Sequence, residues 1–410
     1  MAARNPRTDA RVHRLRHGRG AGRCGVVSRA SSLATGVPAR SPRILVTADA
    51  VGGVWQYSNE LAAGLSRLGI ETILAVMGPA PSDAQREAAA AIPGVTVIET
   101  GLALDWLAED GRALRDAGDS IRELGAEHKA DVIHLNTPAL AAQTKFGAPV
   151  VAVQHSCVAS WWEAVQGSEM PDDFAWRTKL VRAGLHAADA VVTPTAAFGE
   201  ATRRLYALTQ APRTVHNGRT PLPVTEGAPH DFVFTAGRLW DEGKNVRTID
   251  AAAAGIGVPV HAAGPLKGPN GAEVMFDNIH CLGTLSEAEI ARWLAARPVF
   301  VSSALYEPFG LSVLEAAAAG CALILSDIPT FRELWKDVAI FVPARDEGGF
   351  TRAIADLVGD DFERTVMGRA ARERAKRFSA DAMAAQMASL YRSLLPAIQR
   401  PVLASARAAA

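Results

Sequence analysis

Glu307 and Glu315 stand eight positions apart in the run Tyr306-Glu-Pro-Phe-Gly-Leu-Ser-Val-Leu-Glu315. A carboxylate offers two acceptor oxygens, which match the two hydrogens of a vicinal diol. The apolar stretch 299–304 before the run reads as a buried parallel strand, Pro308 and Gly310 break it, and 311–319 reads as a helix. One carboxylate then lies in a strand-to-helix loop and the other a turn or so inside the helix. Between them is a helix N-terminus, where free amides and the dipole favour an anion such as a phosphate. Hydroxyl-binding groups on both sides of a phosphate site suit a nucleotide-sugar. Taken alone, the pair is equally well two glutamates that complement a helix dipole.

A second group of candidates follows the predicted strand 232–235, in Gly237-Arg-Leu-Trp-Asp-Glu-Gly-Lys-Asn245. Arg238, as a planar fork, and Lys244, as a mobile point charge, would together neutralise a diphosphate leaving group without a metal. The alternative is a pair of solvated loop cations. No Asp-x-Asp occurs, so a metal-clamped diphosphate is not expected, and neither a metal site nor a cofactor is assigned. Gly52-Gly53, after the first predicted strand, would let backbone approach a ligand closely, or simply form a tight turn. His155 follows the strand 150–153 and is either a partner for a substrate hydroxyl or a satisfied loop histidine. Ser156 and Cys157 raise a nucleophile reading, which no Gly-x-Ser-x-Gly elbow supports. Trp55, Tyr57, Trp161, Trp162 and Trp176 fit core packing better than an exposed sugar or lipid platform.

These residues need a scaffold that brings loops together. Strand and helix patterns alternate from Arg43: strands at 43–47, 71–76, 95–98, 131–135, 150–153 and 190–193, with a helix at 54–68. The turn-rich stretch 216–230 reads as a connection. A second series has strands at 232–235, 258–261, 299–304, 322–325 and 340–342 and a last helix at 380–395. This βαβ rhythm predicts an α/β protein of two doubly wound parallel-sheet, Rossmann-like domains facing a central cleft, with ligands at the carboxyl ends of both sheets. The expected divisions are a leader at 1–41, a first domain at 42–218, a second at 219–380, a helix at 381–397 that crosses back to the first, and a frayed tail at 398–410. No G-x-G-x-x-G follows the first strand, and Gly264, Gly268 and Gly271 are wrongly spaced for it, which argues against a nicotinamide dehydrogenase.

Composition narrows the classes further. At 410 residues, 49% apolar and 21% charged, the chain has material for two globular domains and holds no apolar run of membrane-spanning length. Its net charge of zero hides an asymmetry: residues 1–40 carry nine arginines against Asp9, leaving an excess of eight acids in the remainder. A body of that sign is a poor general partner for nucleic acid. The leader reads as a mis-called start, an organellar transit peptide or a flexible tail. Cys24, Cys157, Cys281 and Cys321 are scattered, with no CxxC, which points to reduced thiols and a cytoplasmic location, peripheral contact with the inner membrane face being left open.

The order of these landmarks carries a resemblance. Gly52-Gly53, His155, His216-Asn-Gly218, Gly237-Arg238 with Lys244, Gly264-Pro265 and the Glu307-to-Glu315 run with Pro-Phe-Gly are similar to those of retaining glycosyltransferases of family 4, with the GT-B fold. The similarity extends from about 43 to 395. It implies that Arg238 and Lys244 bind the donor diphosphate and that Glu307 holds donor-sugar hydroxyls. Backbone around Phe309, Gly310 and Leu311 would lie beside sugar and phosphate, and Glu315 would grip the ribose. His155 would lie at the reaction centre, and Gly53 near donor phosphate or acceptor. The Arg238-to-Lys244 interval is one residue longer than in many members.

The activity so implied is metal-independent transfer of a hexosyl-type group from a nucleoside diphosphate sugar to a carbohydrate, lipid-linked or small-molecule hydroxyl, with retention of configuration. The alternatives are a catalytically silent nucleotide-sugar binder, a GT-B epimerase or phosphorylase, and a membrane-associated assembly subunit. Contacts to the base are expected near 283–289.

Overall fold

Short apolar runs alternating with helical periods build two parallel sheets. The computed structural model describes residues 40–223, 231–268 and 271–395. The leader expected at 1–41 (save Arg40 and Ser41), residues 224–230 of the expected connection, and the tail lie outside the described residues.

The first sheet contains β1 (Arg43–Asp49), β2 (Glu71–Met77), β3 (Val95–Glu99), β4 (Val132–Leu135), β5 (Val150–Val153), β6 (Ala190–Thr193) and β7 (Arg213–Thr214), in the order β3-β2-β1-β4-β5-β6-β7. The second contains β8 (Val233–Ala236), β9 (Val260–Ala263), β10 (His280–Cys281), β11 (Val299–Ser302), β12 (Ala322–Ser326) and β13 (Ile340–Val342), in the order β10-β9-β8-β11-β12-β13. Neighbouring strands pair in parallel throughout both sheets. Central strands are covered on both faces, hence their continuous Val, Ile and Leu runs.

Two differences from the sequence reading have simple causes. The strand expected at 258–261 begins at Val260, because Pro259 has no amide to give the ladder; its carbonyl instead accepts from the Val233 amide at 2.9 Å. The two-residue edge strands β7 and β10 are too short to produce a periodic signal.

In each sheet the strand order reverses direction once, between β1 and β4 in the first and between β8 and β11 in the second. Helices leave on opposite faces at such a point, and their connecting loops part to leave a crevice at the carboxyl ends of the strands. The segments Asp49 to Gly53, Asn136, Gly237 to Asn245 and Ser303 to Gly310 all follow these four strands.

The helix Ala380–Leu394 returns to the first sheet and packs along the helix Gly53–Arg67. Met383, Ala384, Met387, Ala388 and Tyr391 join Trp55, Tyr57, Leu61 and Leu65 in one buried cluster with β1 and β2. Burying a side chain such as Leu61 contributes about 2 kcal/mol. The crossing is close because Gly64 has no side chain; a Cβ there would overlap that of Ala384. Among the described residues no helix is long and apolar enough to cross a membrane.

Candidate functional site

The loop after β8 is organised by Asp241. Its Oδ1 accepts from the Gly243 amide at 2.9 Å and its Oδ2 from Arg238 at 2.8 Å. Burial works against this charge, but the adjacent Arg238 and Lys244 overcome it and hold the carboxyl below the usual aspartate range. Arg238 itself is half exposed, so its fork is available to a ligand. Lys244 reaches the loop after β11 and pairs with Glu307, both side chains being largely covered. The Asn245 side-chain amide donates to the carbonyls of Ser303 at 3.0 Å and Ala344 at 2.7 Å, and so ties the two loops.

Glu307 leads directly into the helix Leu311–Ala319. Gly310, with φ of +91°, precedes this helix and Gly320, with φ of +88°, closes it; both need a residue tolerant of the left-handed region. The Phe309 ring is buried in the second core, edge-on to Phe378. What Phe309 and Gly310 present at the helix start is therefore backbone. The Pro308 carbonyl accepts at 3.0 Å from Thr195, which follows β6 of the first sheet.

From the first sheet, the glycine pair meets this surface. A Cβ on Gly52 would lie 3.9 Å from an Arg238 Nη and one on Gly53 3.4 Å from a Leu311 methyl. Beside them, burial raises Asp49 above the usual carboxylate range, against the opposing pull of the Val51 and Gly52 amides and Arg238. The segment after β5 brings His155. Its Nε2 lies 2.9 Å from Asn136 Oδ1, and the Tyr57 ring stands edge-on at 4.4 Å. Burial, then the neighbouring His134, lowers the His155 imidazole to about 3. Next along the chain, the Cys157 amide donates to the Tyr306 hydroxyl at 3.1 Å, and that hydroxyl lies 2.8 Å from Ser160 Oγ. Trp161 Nε1 donates to Asp241 Oδ1 at 3.0 Å. His155 and Glu307 thus belong to segments that touch, through Cys157 and Tyr306.

Glu315 sits elsewhere. Arg219, in the connection between the sheets, donates to Glu60 of the helix Gly53–Arg67, to Glu287 and to Glu315, each at 2.8 Å. Burial raises the Glu315 carboxyl above its ordinary value although Arg219 pulls it down. The sequence candidates therefore fall into two ionic groups, one holding Arg238, Lys244 and Glu307 and the other holding Glu315. Glu287, from the segment expected to meet a base, is in the second group.

Two family descriptions match this chain: Glycosyltransferase Family 4 over residues 51–220, and Glycosyl transferases group 1 over residues 272–374. The chain belongs to the family 4 glycosyltransferases of GT-B fold. The glycogen synthase of Mycobacterium tuberculosis is 25% identical over 366 residues, covering 79% of this chain and 86% of that protein. The alpha-maltose-1-phosphate synthase of Mycolicibacterium smegmatis is 27% identical over 390 residues, covering 84% and 96%. Among solved structures, the sucrose-phosphate synthase of Thermosynechococcus elongatus superposes with a TM-score of 0.69 at 21% identity, covering 87% of this chain and 99% of that one. Anabaena HepE in complex with UDP-glucose superposes with 0.63 at 17%, covering 86% and 100%. These likenesses of structure establish the fold.

In this glycosyltransferase, sequence reasoning passed over Asn136, Asp241, Arg219 and Glu60. Two carried a readable signal. Asp241 stands three positions after Arg238, and Glu60 is a charge on the apolar stripe of its helix, next to Leu61. Asn136 and Arg219 acquire their roles only from long-range contacts.

Proposed function

We propose that this glycosyltransferase moves a sugar from a nucleoside diphosphate sugar to a hydroxyl acceptor with retention of configuration and without a metal ion. The observation that carries the reading is the meeting of two switch points: the Gly52-Gly53 turn of the first sheet lies against Arg238 and Leu311 of the second, beside the Lys244–Glu307 pair. The UDP-glucose bound to Anabaena HepE agrees with such a donor.

In this reading the donor lies along the second sheet and the acceptor enters from the first. The diphosphate exchanges with carboxylates as the partner of Arg238 and Lys244, assisted by the amides at the start of the helix Leu311–Ala319. Glu307, released from Lys244, accepts from the donor-sugar hydroxyls. Glu315 has its Oε1 on Arg219 and would use Oε2 for the ribose. As the bond from anomeric carbon to phosphate oxygen breaks, charge grows on the phosphate, where both cations stabilise it. The acceptor attacks from the face the phosphate leaves, and its proton passes to a departing phosphate oxygen. His155 stands beside the sugar, and Gly53 next to phosphate or acceptor.

The test offers UDP-glucose, ADP-glucose and GDP-mannose with a panel of monosaccharide, inositol and glycerol acceptors, and follows anomeric protons by NMR. An α-linked product from an α-linked donor, formed equally with EDTA, is the expected result. A β-linked product overturns retention, and loss of turnover with EDTA overturns metal independence.

A further inference from the structure

Asn136 stands at the carboxyl end of β4, at the switch point of the first sheet, and the scheme above gives it no task. Its Nδ2 donates to the Thr47 carbonyl at 2.6 Å and to Ser58 Oγ at 3.0 Å. A carbonyl only accepts, so the amide has a single orientation and Oδ1 faces the other way. That oxygen lies 2.9 Å from His134 Nε2 and 2.9 Å from His155 Nε2. An amide oxygen only accepts as well. Both imidazoles must therefore carry their proton on Nε2.

We propose that Asn136 is a positioning residue that holds His155 as the neutral Nε2–H imidazole, leaving its Nδ1 lone pair to accept from a hydroxyl of the sugar or the acceptor. This rests on the reading of His155 as a reaction-centre residue.

The rest of the network is consistent with one proton arrangement. His134 Nδ1 lies 2.6 Å from the Tyr391 hydroxyl. With the proton on Nε2, Nδ1 accepts and the tyrosine donates. Moving the His134 proton to Nδ1 would set two lone pairs against each other at Asn136 Oδ1. Tyr391 comes from the helix Ala380–Leu394, so the returning helix completes a network in which Tyr391 donates to His134, and His134 and His155 both donate to Asn136 Oδ1. Among the described residues no donor meets His155 Nδ1.

Protonation would destroy that lone pair, and the surroundings oppose it. The titratable groups around His155 are Tyr57 from the helix Gly53–Arg67, His134 from β4 and, behind His134, Tyr391. No carboxylate among the described residues forms an ion pair or hydrogen bond with it. Burial lowers His134 to about 4 against the hydrogen bond to Asn136, and burial together with the adjoining His134 lowers His155 to about 3. A neutral acceptor nitrogen recognises an O–H group and gives nothing to an anion, so it discriminates for hydroxyl over phosphate in a cleft otherwise built for phosphate.

The full chain, labelled with 15N-histidine, tests this directly. In the wild type the His155 signals, assigned with His155→Gln, should show one protonated and one bare nitrogen, with the proton on Nε2 from about pH 8 to about pH 5.5. A proton on Nδ1, or a titration within that range, overturns the proposal with no need of turnover. The second measurement is the pH profile of kcat/KM with the donor found active above. Asn136→Asp keeps an acceptor for both imidazoles but adds a charge that favours imidazolium. Its kcat/KM should fall at least about tenfold between pH 8 and pH 5.5, with the wild type flat over that interval. Superimposable profiles overturn the proposal. If the wild type shows the Nε2–H form but no nucleotide-sugar is turned over, the reaction scheme fails and the proton arrangement stands.

Discussion

The molecule holds two ionic clusters, and their charge balance differs. On the β8 and β11 loops two cations meet two carboxylates, Arg238 with Asp241 and Lys244 with Glu307. At the connection between the sheets a single Arg219 serves Glu60, Glu287 and Glu315. Arg238 is 49% exposed and Arg219 only 8%. The balanced cluster can exchange partners: an incoming diphosphate replaces carboxylates, and the charge on Arg238 and Lys244 never goes uncompensated. The unbalanced cluster cannot lose its one cation without stranding buried acids. Placement therefore separates the tasks. The exchangeable charges stand at the crevice, and the fixed ones stand where the chain passes between sheets.

The strongest way to break this comparison is Arg219→Met. Glu60 and Glu315 are both about a tenth exposed, and removing one partner of a buried pair costs on the order of 3–5 kcal/mol. Urea unfolding should report a loss of that size at neutral pH. Its pH dependence has a definite sign. Glu315 is already raised in the native state, which therefore binds a proton more readily than the unfolded chain. Its contribution to stability is fullest in acid and declines as pH rises through the carboxylate range. Without Arg219 the carboxyl rises further, so the deficit of the variant should be largest at about pH 8 and narrow towards about pH 5. A deficit that grows in acid would show that Arg219 does not neutralise Glu315.

Substitutions in the balanced cluster should separate activity from stability. Arg238→Ala should lower kcat/KM at least about a hundredfold if its fork stabilises charge on the leaving phosphate, and Lys244→Ala should act in the same direction. Melting temperature should change far less than in Arg219→Met, since Arg238 is half solvated and Asp241 keeps the Gly243 amide and Trp161 as donors. Near-normal turnover of Arg238→Ala would remove it from the reaction. A collapse of stability equal to that of Arg219→Met would erase the contrast between the clusters.

Local pattern and long-range contact explain what could be read in the sequence. Strands β5, β6 and β13 and the helix Leu311–Ala319 coincide with their expected bounds, because each is a largely apolar run with Pro or Gly beside at least one end. The loops at both switch points were legible for the same reason: a parallel sheet delivers its loops to one edge. The second core and the existence of the last helix follow from apolar periodicity. Partner choice was not legible. That Glu315 meets Arg219 and not Lys244, or that Asn136 joins two histidines, depends on residues tens of positions apart. Asn136 has no local signature, since any asparagine after a strand looks like a turn former. The resemblance pointed to backbone around Phe309, but the packing of its ring on Phe378 was not legible.

Within the Arg219 cluster the three carboxylates are not equal, and the smallest expected effect tests that. Glu287 lies 2.8 Å from Arg219 Nη2, the same distance as the other two, but its side chain is 59% exposed. Distance alone would rank it with Glu60 and Glu315; solvent ranks it far below. An exposed ion pair is screened and holds two flexible side chains in place for little gain, so Glu287→Gln should cost less than about 1 kcal/mol. Arg219 keeps its two buried partners, and the glutamine amide oxygen can still accept from it. Removing this charge also takes away one of the neighbours that raise Glu315, which offsets part of the loss. Urea midpoints of Glu287→Gln and Arg219→Met in one buffer make the measurement. Equal destabilisation would mean that all three arms bear on the connection alike; a near-neutral Glu287→Gln identifies the tie as the buried bridge from Glu60 through Arg219 to Glu315, one helix of each sheet held by one guanidinium.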